Sequence, residues 1–129
     1  METHSSHQQV RGYERFKAKE RALIHLPLDS EIFPHHIIDI CEGGLSFRYL
    51  GKKIKTSKIP PINLYHEYEL IVSDLPVKKV SDYRLRDGLV PLRRRSLCFG
   101  SLSIEQHNKL STFIERFTER QSYRSLPVI

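Results

Sequence analysis

The sequence predicts a mainly β fold with one C-terminal helix, and three observations carry that prediction. Short runs rich in β-branched and aromatic residues recur along the chain, Gly and Pro signals separate them, and the apolar spacing turns helical after residue 100. Six such runs precede the helix. The expectation is a six-stranded antiparallel β-barrel whose open side is covered by an amphipathic α-helix.

The first strand is read from Arg21 to Leu28, where apolar residues fall on both faces and Pro27 ends the run. The second is Ile32 to Ile40, with Pro34 early and Ile38 and Ile40 on one face. Glu42-Gly43-Gly44 is a turn signal, so Leu45 to Tyr49 pairs back as a hairpin with Leu45, Phe47 and Tyr49 on a common face. Leu50 to Asn63 is basic and closes on Pro60-Pro61, which makes it a loop. Three further strands are read at Leu64 to Ser73, Val77 to Leu85 and Leu92 to Phe99, the last two separated by Asp87-Gly88.

Ser103-Ile-Glu-Gln106 has the form of a capping box, in which the serine hydroxyl and the glutamine side chain satisfy orphan N–H groups. Leu110, Phe113, Ile114 and Phe117 then recur at helical spacing, a core-facing stripe on a helix of about 17 residues. Residues 1–9 read as a flexible N-terminal tail, 10–121 as one domain and 122–129 as a C-terminal tail.

At 129 residues the chain has room for one modest core. No run approaches the roughly 20 apolar residues of a membrane span, and Met1 to Gln9 lacks the apolar centre of a signal peptide, so the expected location is the cytoplasm. Two cysteines provide neither a disulfide framework nor metal spacing. His35 and His36 are adjacent, and a strand sends them to opposite faces. No metal is expected. The net charge of +6 favours anionic partners, and the basic residues concentrate in Arg11 to Arg21, Lys52 to Lys58 and Arg93 to Arg95. In a strand the last three alternate, so one or two can reach a site and the rest are read as solvated. No nucleophile elbow, paired carboxylates or phosphate loop is present, so no enzyme is expected.

Two segments about 25 residues apart stand out. The first is Arg11-Gly-Tyr-Glu-Arg15, an Arg-x-x-x-Arg. The second is Asp39-Ile-Cys-Glu-Gly-Gly44, running into Leu45-Ser-Phe47. In this order and spacing they resemble the PilZ domain family, whose pattern is Arg-x-x-x-Arg followed by Asp/Asn-x-Ser-x-x-Gly. Leu92 to Phe99 is similar to the family's late strand and Leu102 to Gln106 to the start of its closing helix. The resemblance covers roughly residues 10 to 118. It implies a PilZ-type barrel that receives the bacterial second messenger cyclic di-GMP without catalysis or a cofactor.

The implied ligand-binding residues are Arg11, Arg15, Asp39, Cys41, Gly43, Gly44 and Arg94. Guanidinium groups fork onto phosphate oxygens or the O6/N7 edge of guanine, and stack on a base. Asp39 is a pure acceptor suited to guanine N1–H and N2–H donors. Gly43 and Gly44 permit positive φ and close approach of a ligand to the backbone. Cys41 departs from the family serine, and a thiol in place of a hydroxyl weakens contact with a phosphate by about 1.5–3 kcal/mol.

The expected partners are cyclic di-GMP and an effector protein that responds when the ligand orders the arm from Val10 to Phe16. The chain is read as a monomer or weak homodimer, without membrane insertion. A degenerate adaptor that binds the nucleotide weakly or not at all is the alternative. A nucleic-acid-binding barrel is disfavoured, because no aromatic residues interleave with the basic runs.

Overall fold

A computed structural model of the chain describes residues 15–27, 34–51 and 59–119. The β-rich runs form eight strands: β1 (Phe16–Lys17), β2 (Ala22–His25), β3 (His35–Cys41), β4 (Gly44–Leu50), β5 (Ile62–His66), β6 (Glu69–Leu75), β7 (Val77–Arg86) and β8 (Leu92–Phe99). Helix α1 (Ile104–Phe117) follows. Two differences raise the count from six. The run expected as one strand from Leu64 to Ser73 is the hairpin β5–β6, turned at Glu67, whose φ of 57° is left-handed. Neither Gly nor Pro marks that turn, because a glutamate occupies the left-handed conformation that Gly or Asn usually takes. The second addition is β1, which adds to β3 with Phe16 opposite Ile40 and Lys17 opposite Asp39.

The sheet runs β6-β5-β2-β3-β4-β8-β7 with antiparallel pairing throughout. Among the described residues no ladder joins β6 to β7, so the barrel has the open side that was expected beneath the helix. The sheet is nevertheless strongly curled. Laid flat, seven strands would put the two edges roughly 30 Å apart, yet only Pro76 separates Leu75 of β6 from Val77 of β7. Pro76 has no N–H for a ladder, and the left-handed Asp74 (φ 58°) turns the chain as β6 ends.

Helix α1 fills the opening. Leu110, Phe113 and Ile114 are buried in the core, and Phe117 stacks on His66 of β5 at 4.1 Å between ring centres. The capping box forms as expected: Gln106 N–H donates to Ser103 Oγ and Ser103 N–H to Gln106 Oε1, each at 3.0 Å. Gln106 Nε2 also donates to the Asp74 carbonyl at 2.8 Å, fastening the first turn of the helix to the end of β6. The helix spans 14 residues rather than 17.

Leu45, Phe47 and Tyr49 of β4 share the core face as the alternation required. In β3 the pattern is displaced: a register shift between Ile37 and Asp39 buries Ile37 and Ile40 and leaves Ile38 half-exposed, so Ile38 and Ile40 do not share a face. Gly44 also has a different role from the expected one. A Cβ there would lie 2.3 Å from the Leu97 carbonyl oxygen, so the missing side chain admits strand β8. The left-handed glycines of the described residues are Gly51 and Gly88, so positive φ is not what Gly43 and Gly44 supply.

The triplet Arg93-Arg94-Arg95 alternates, but its exposures are not those expected. Arg93 and Arg95 enter the core face beside Tyr49 and Phe47, and Arg95 is fully buried. The cause lies on β7: Asp82, whose side chain is completely enclosed, meets Arg93 Nε at 2.8 Å and Arg95 Nε at 3.6 Å and accepts from the Tyr49 hydroxyl at 2.5 Å. The hydrogen bond that Arg93 donates to Asp82 raises the Arg93 pKa above its already high ordinary value, with desolvation opposing it. Removing the carboxylate leaves two interior cations without their shared partner. Asp82→Ala should lose about 3–5 kcal/mol of unfolding free energy, measured by urea titration of the circular dichroism signal; a loss below 1 kcal/mol would contradict a structural role for the cluster.

Candidate functional site

Strand β3 carries the centre of the site because its bulge and pairing aim Asp39 outward. Asp39 lies opposite Ser46 of β4 on one side and Lys17 of β1 on the other. Its carboxylate collects three donors at 2.8 Å: Arg15 Nη1 and Ser46 Oγ on Oδ1, and Arg94 Nη2 on Oδ2. Arg94 Nη2 also lies 2.8 Å from Ser46 Oγ. Arg15, Asp39 and Arg94 are about a fifth to a quarter exposed, so the cluster is held firmly while solvent still reaches it. One carboxylate thus joins two guanidinium groups 79 residues apart in the chain.

A pocket opens beside this cluster, where β3 changes partner along one edge. Its first half pairs with β2 through Leu23 opposite His36, and its second half with β1. Between them Lys19 to Arg21 turn out of the sheet, closed by the Ala22 N–H on the Lys19 carbonyl at 3.1 Å. The concavity left on the outer face measures about 520 Å³ and has Ile37 and Ile38 among its walls. Arg15, Lys17, Lys19 and Arg48 supply its positive charge, against the carboxylates of Glu20, Asp39 and Glu119. Basic, half-apolar and concave, it suits a planar anion.

The β3–β4 turn beside the site is tied down on every side. The Gly43 N–H donates to Cys41 Sγ at 3.4 Å, the Phe99 N–H donates to the Gly43 carbonyl at 2.9 Å, and Glu42 accepts from Ser111 of α1 at 3.3 Å with His107 at 3.6 Å. The residues expected from sequence therefore divide into three groups. Arg15, Asp39 and Arg94 come together. Cys41, Gly43 and Gly44 form the adjacent turn, where the Cys41 thiol is buried and holds a backbone N–H. Arg11 lies outside the described residues, as do the basic run Lys52 to Lys58 and the terminal tails.

Lys17, Arg48 and Glu119 line the pocket without having been singled out. For Arg48 a signal existed, since it shares the Ser46 face of β4 and lies opposite Arg94. For Lys17 and Glu119 the placement depends on β1 pairing and on the return of the chain after α1, where Ala18 bridges Thr118. Among the described residues no group of three or more His, Cys, Asp or Glu is arranged to hold a metal ion. No described helix is long and apolar enough to cross a membrane.

Comparison of the whole structure with solved structures identifies the architecture. The PilZ domain of YcgR from Escherichia coli, solved with c-di-GMP, superposes with a TM-score of 0.63 over 92% of this chain and 98% of that one, at 16% sequence identity. The fold is that of a PilZ domain. A crystal structure of YcgR from Escherichia coli in complex with c-di-GMP aligns with a TM-score of 0.62, covering 89% of this chain and 48% of the longer one, again at 16% identity. Neither a family sequence model nor a curated protein sequence matches the chain. In this PilZ-type fold the strands bearing Asp39 and Arg94 flank β4 on either side.

The two thiols of the PilZ-type sheet differ in access: Cys41 is buried, whereas Cys98 is only partly covered. A thiol-reactive dye should modify Cys98 in the native protein and Cys41 only as the fold opens, because attack requires an accessible thiolate. Mass-spectrometric mapping of the labelled peptides reads the order, and rapid labelling of Cys41 in the folded state would contradict its placement.

Proposed function

We propose that this chain is a cyclic di-GMP receptor, a non-catalytic module that passes the nucleotide signal to a protein partner in the cytoplasm. The observation that carries the reading is the convergence of Arg15 and Arg94 on Asp39 at the edge of a basic pocket of about 520 Å³. Each guanidinium spends only part of its five-donor capacity on Asp39, which leaves N–H groups to fork onto phosphate or the O6/N7 edge of guanine. Solved PilZ domains of the same fold hold c-di-GMP, which supports the same ligand class here.

In this reading residues 10–121 form the functional domain. Asp39 orients the two arginines, Lys17 and Arg48 add attraction for the phosphates, and Arg11 closes from the segment that precedes Arg15. Cys41, Gly43 and Gly44 shape the turn that keeps Asp39 in place. Ligand binding orders the Arg11-containing arm and changes the surface offered to the effector. Ordering costs roughly 1–2 kcal/mol per residue, which the charge-assisted contacts must exceed. Neither nucleic acid nor membrane is a partner, and no cofactor is required.

Isothermal titration with cyclic di-GMP tests the proposal directly. Saturable binding is expected, with Arg15→Ala and Arg94→Ala each weakening it by about tenfold or more, the scale of one lost charge-assisted contact. Cys41→Ser should change affinity by less than about threefold, because a hydroxyl takes over the contact with the Gly43 N–H. No heat at high micromolar nucleotide would favour the adaptor reading instead, and binding indifferent to both arginines would move the site elsewhere.

A further inference from the structure

The carboxylate that reads the guanine edge has to have acceptors to spare, and Asp39 has few. An ionised carboxylate offers about four lone-pair sites, and Asp39 already receives Arg15, Ser46 and Arg94. Guanine presents two neighbouring donors on its Watson–Crick edge, N1–H and N2–H. Asp39 cannot take both without releasing one of the three donors it already holds.

A second carboxylate is placed on the same face. After α1 the chain returns beside β1: the Glu119 N–H donates to the Lys17 carbonyl and the Lys19 N–H to the Phe117 carbonyl, both at 2.9 Å, with Ala18 bridged to Thr118. Ala18 and Thr118 are both buried, so the flanking pair Lys17 and Glu119 face outward together. Lys17 is in turn opposite Asp39. A cross-strand row therefore runs Asp39, Lys17, Glu119, and two strand spacings put its carboxylates about 10 Å apart at the backbone. Both line the pocket. Among the described residues the Glu119 carboxylate makes no hydrogen bond or ion pair, so both its oxygens are open to a ligand.

We propose that Glu119 is the specificity-determining residue of the pocket, accepting guanine N1–H and N2–H while Lys17 and the arginines hold the phosphates. Glu20 also borders the pocket, but it belongs to the turn that leaves the sheet and stands outside this row. The assignment rests on the cyclic di-GMP reading and deepens it. It explains why an anionic residue borders a site for an anion: its cost in repulsion is offset only by a base with paired donors. Adenine lacks that pair: beside its N6–H donor stands the N1 acceptor, which a carboxylate repels, so cyclic di-AMP gains no net attraction from Glu119.

Titrations of the full chain with cyclic di-GMP and cyclic di-AMP test the assignment. Glu119→Gln changes an exposed side chain and retains one acceptor, so the fold should be unaffected, as circular dichroism will verify. The variant should bind cyclic di-GMP about tenfold more weakly and cyclic di-AMP no more weakly than wild type, so that the preference for guanine shrinks by at least that factor. Wild-type binding that is unchanged or tightened in Glu119→Gln would overturn the assignment while leaving the receptor reading intact. Absence of cyclic di-GMP binding by the wild-type chain would overturn both.

Discussion

The candidate site depends on how the edge of β3 is shared. A strand has two edges, and β4 occupies one of them along most of β3. The other is divided between β2 and β1, and the chain cannot pass from one to the other in register, because Lys19 to Arg21 must leave the sheet where Ile37 and Ile38 lie between the two pairings. That excursion and the irregularity at Ile38 open the pocket. The same division places Arg15 where it meets Asp39, since β1 begins one residue later. Pocket, arginine and carboxylate are therefore consequences of one interrupted pairing.

The core supports this arrangement from the opposite face. Gly44 brings β4 close to β8, with the Leu97 carbonyl in the space a side chain would fill. The register that follows sets Ser46 opposite Ser96 and Arg48 opposite Arg94, presenting Arg94 to Asp39 across β4. One position to either side, Arg93 and Arg95 turn inward to Asp82. A slip of one residue would exchange the two faces, exposing the buried pair and enclosing Arg94. The buried Asp82 cluster thus penalises misregister at the strand where register matters most for the site. Interior ion pairs are weak sources of stability but effective at specifying one arrangement, and this one has that position.

How much of this was legible in the sequence varies with the distance over which the deciding interaction acts. The hairpin around Glu42 and Gly43, the capping box at Ser103 and the stripe from Leu110 to Ile114 rest on neighbours within a few residues, and local pattern revealed them. Asp39, Arg15 and Arg94 were named through the family resemblance, while strand alternation said only that one or two of Arg93 to Arg95 could reach a site. The burial of Arg93 and Arg95 was not, because a triplet of arginines carries no sign that an aspartate on the neighbouring strand will neutralise it. The turn at Glu67 was hidden by a left-handed residue of unremarkable type. Lys17 and Glu119 were hidden because their shared face exists only once Thr118 has come back to Ala18, across a separation of 100 residues.

The Asp39 cluster also bears on how a small domain could hold a flexible, charged ligand. Arginine side chains free in solvent would each lose rotamer freedom on binding, about 1.5–2 kcal/mol at most. Here Arg15 and Arg94 are already confined by a common carboxylate, so part of that loss occurs on folding and not on ligand association. Confinement would be self-defeating if Asp39 consumed the donors, but each guanidinium meets it through a single nitrogen. The remaining N–H groups point from fixed positions, while attachment to one anion lets the two cations approach more closely than their mutual repulsion would otherwise allow. A ligand bearing phosphates can then reinforce the role Asp39 plays alone in its absence. On this argument the carboxylate is a placeholder for anionic charge as well as an anchor, and folding alone sets the positions of Arg15 and Arg94.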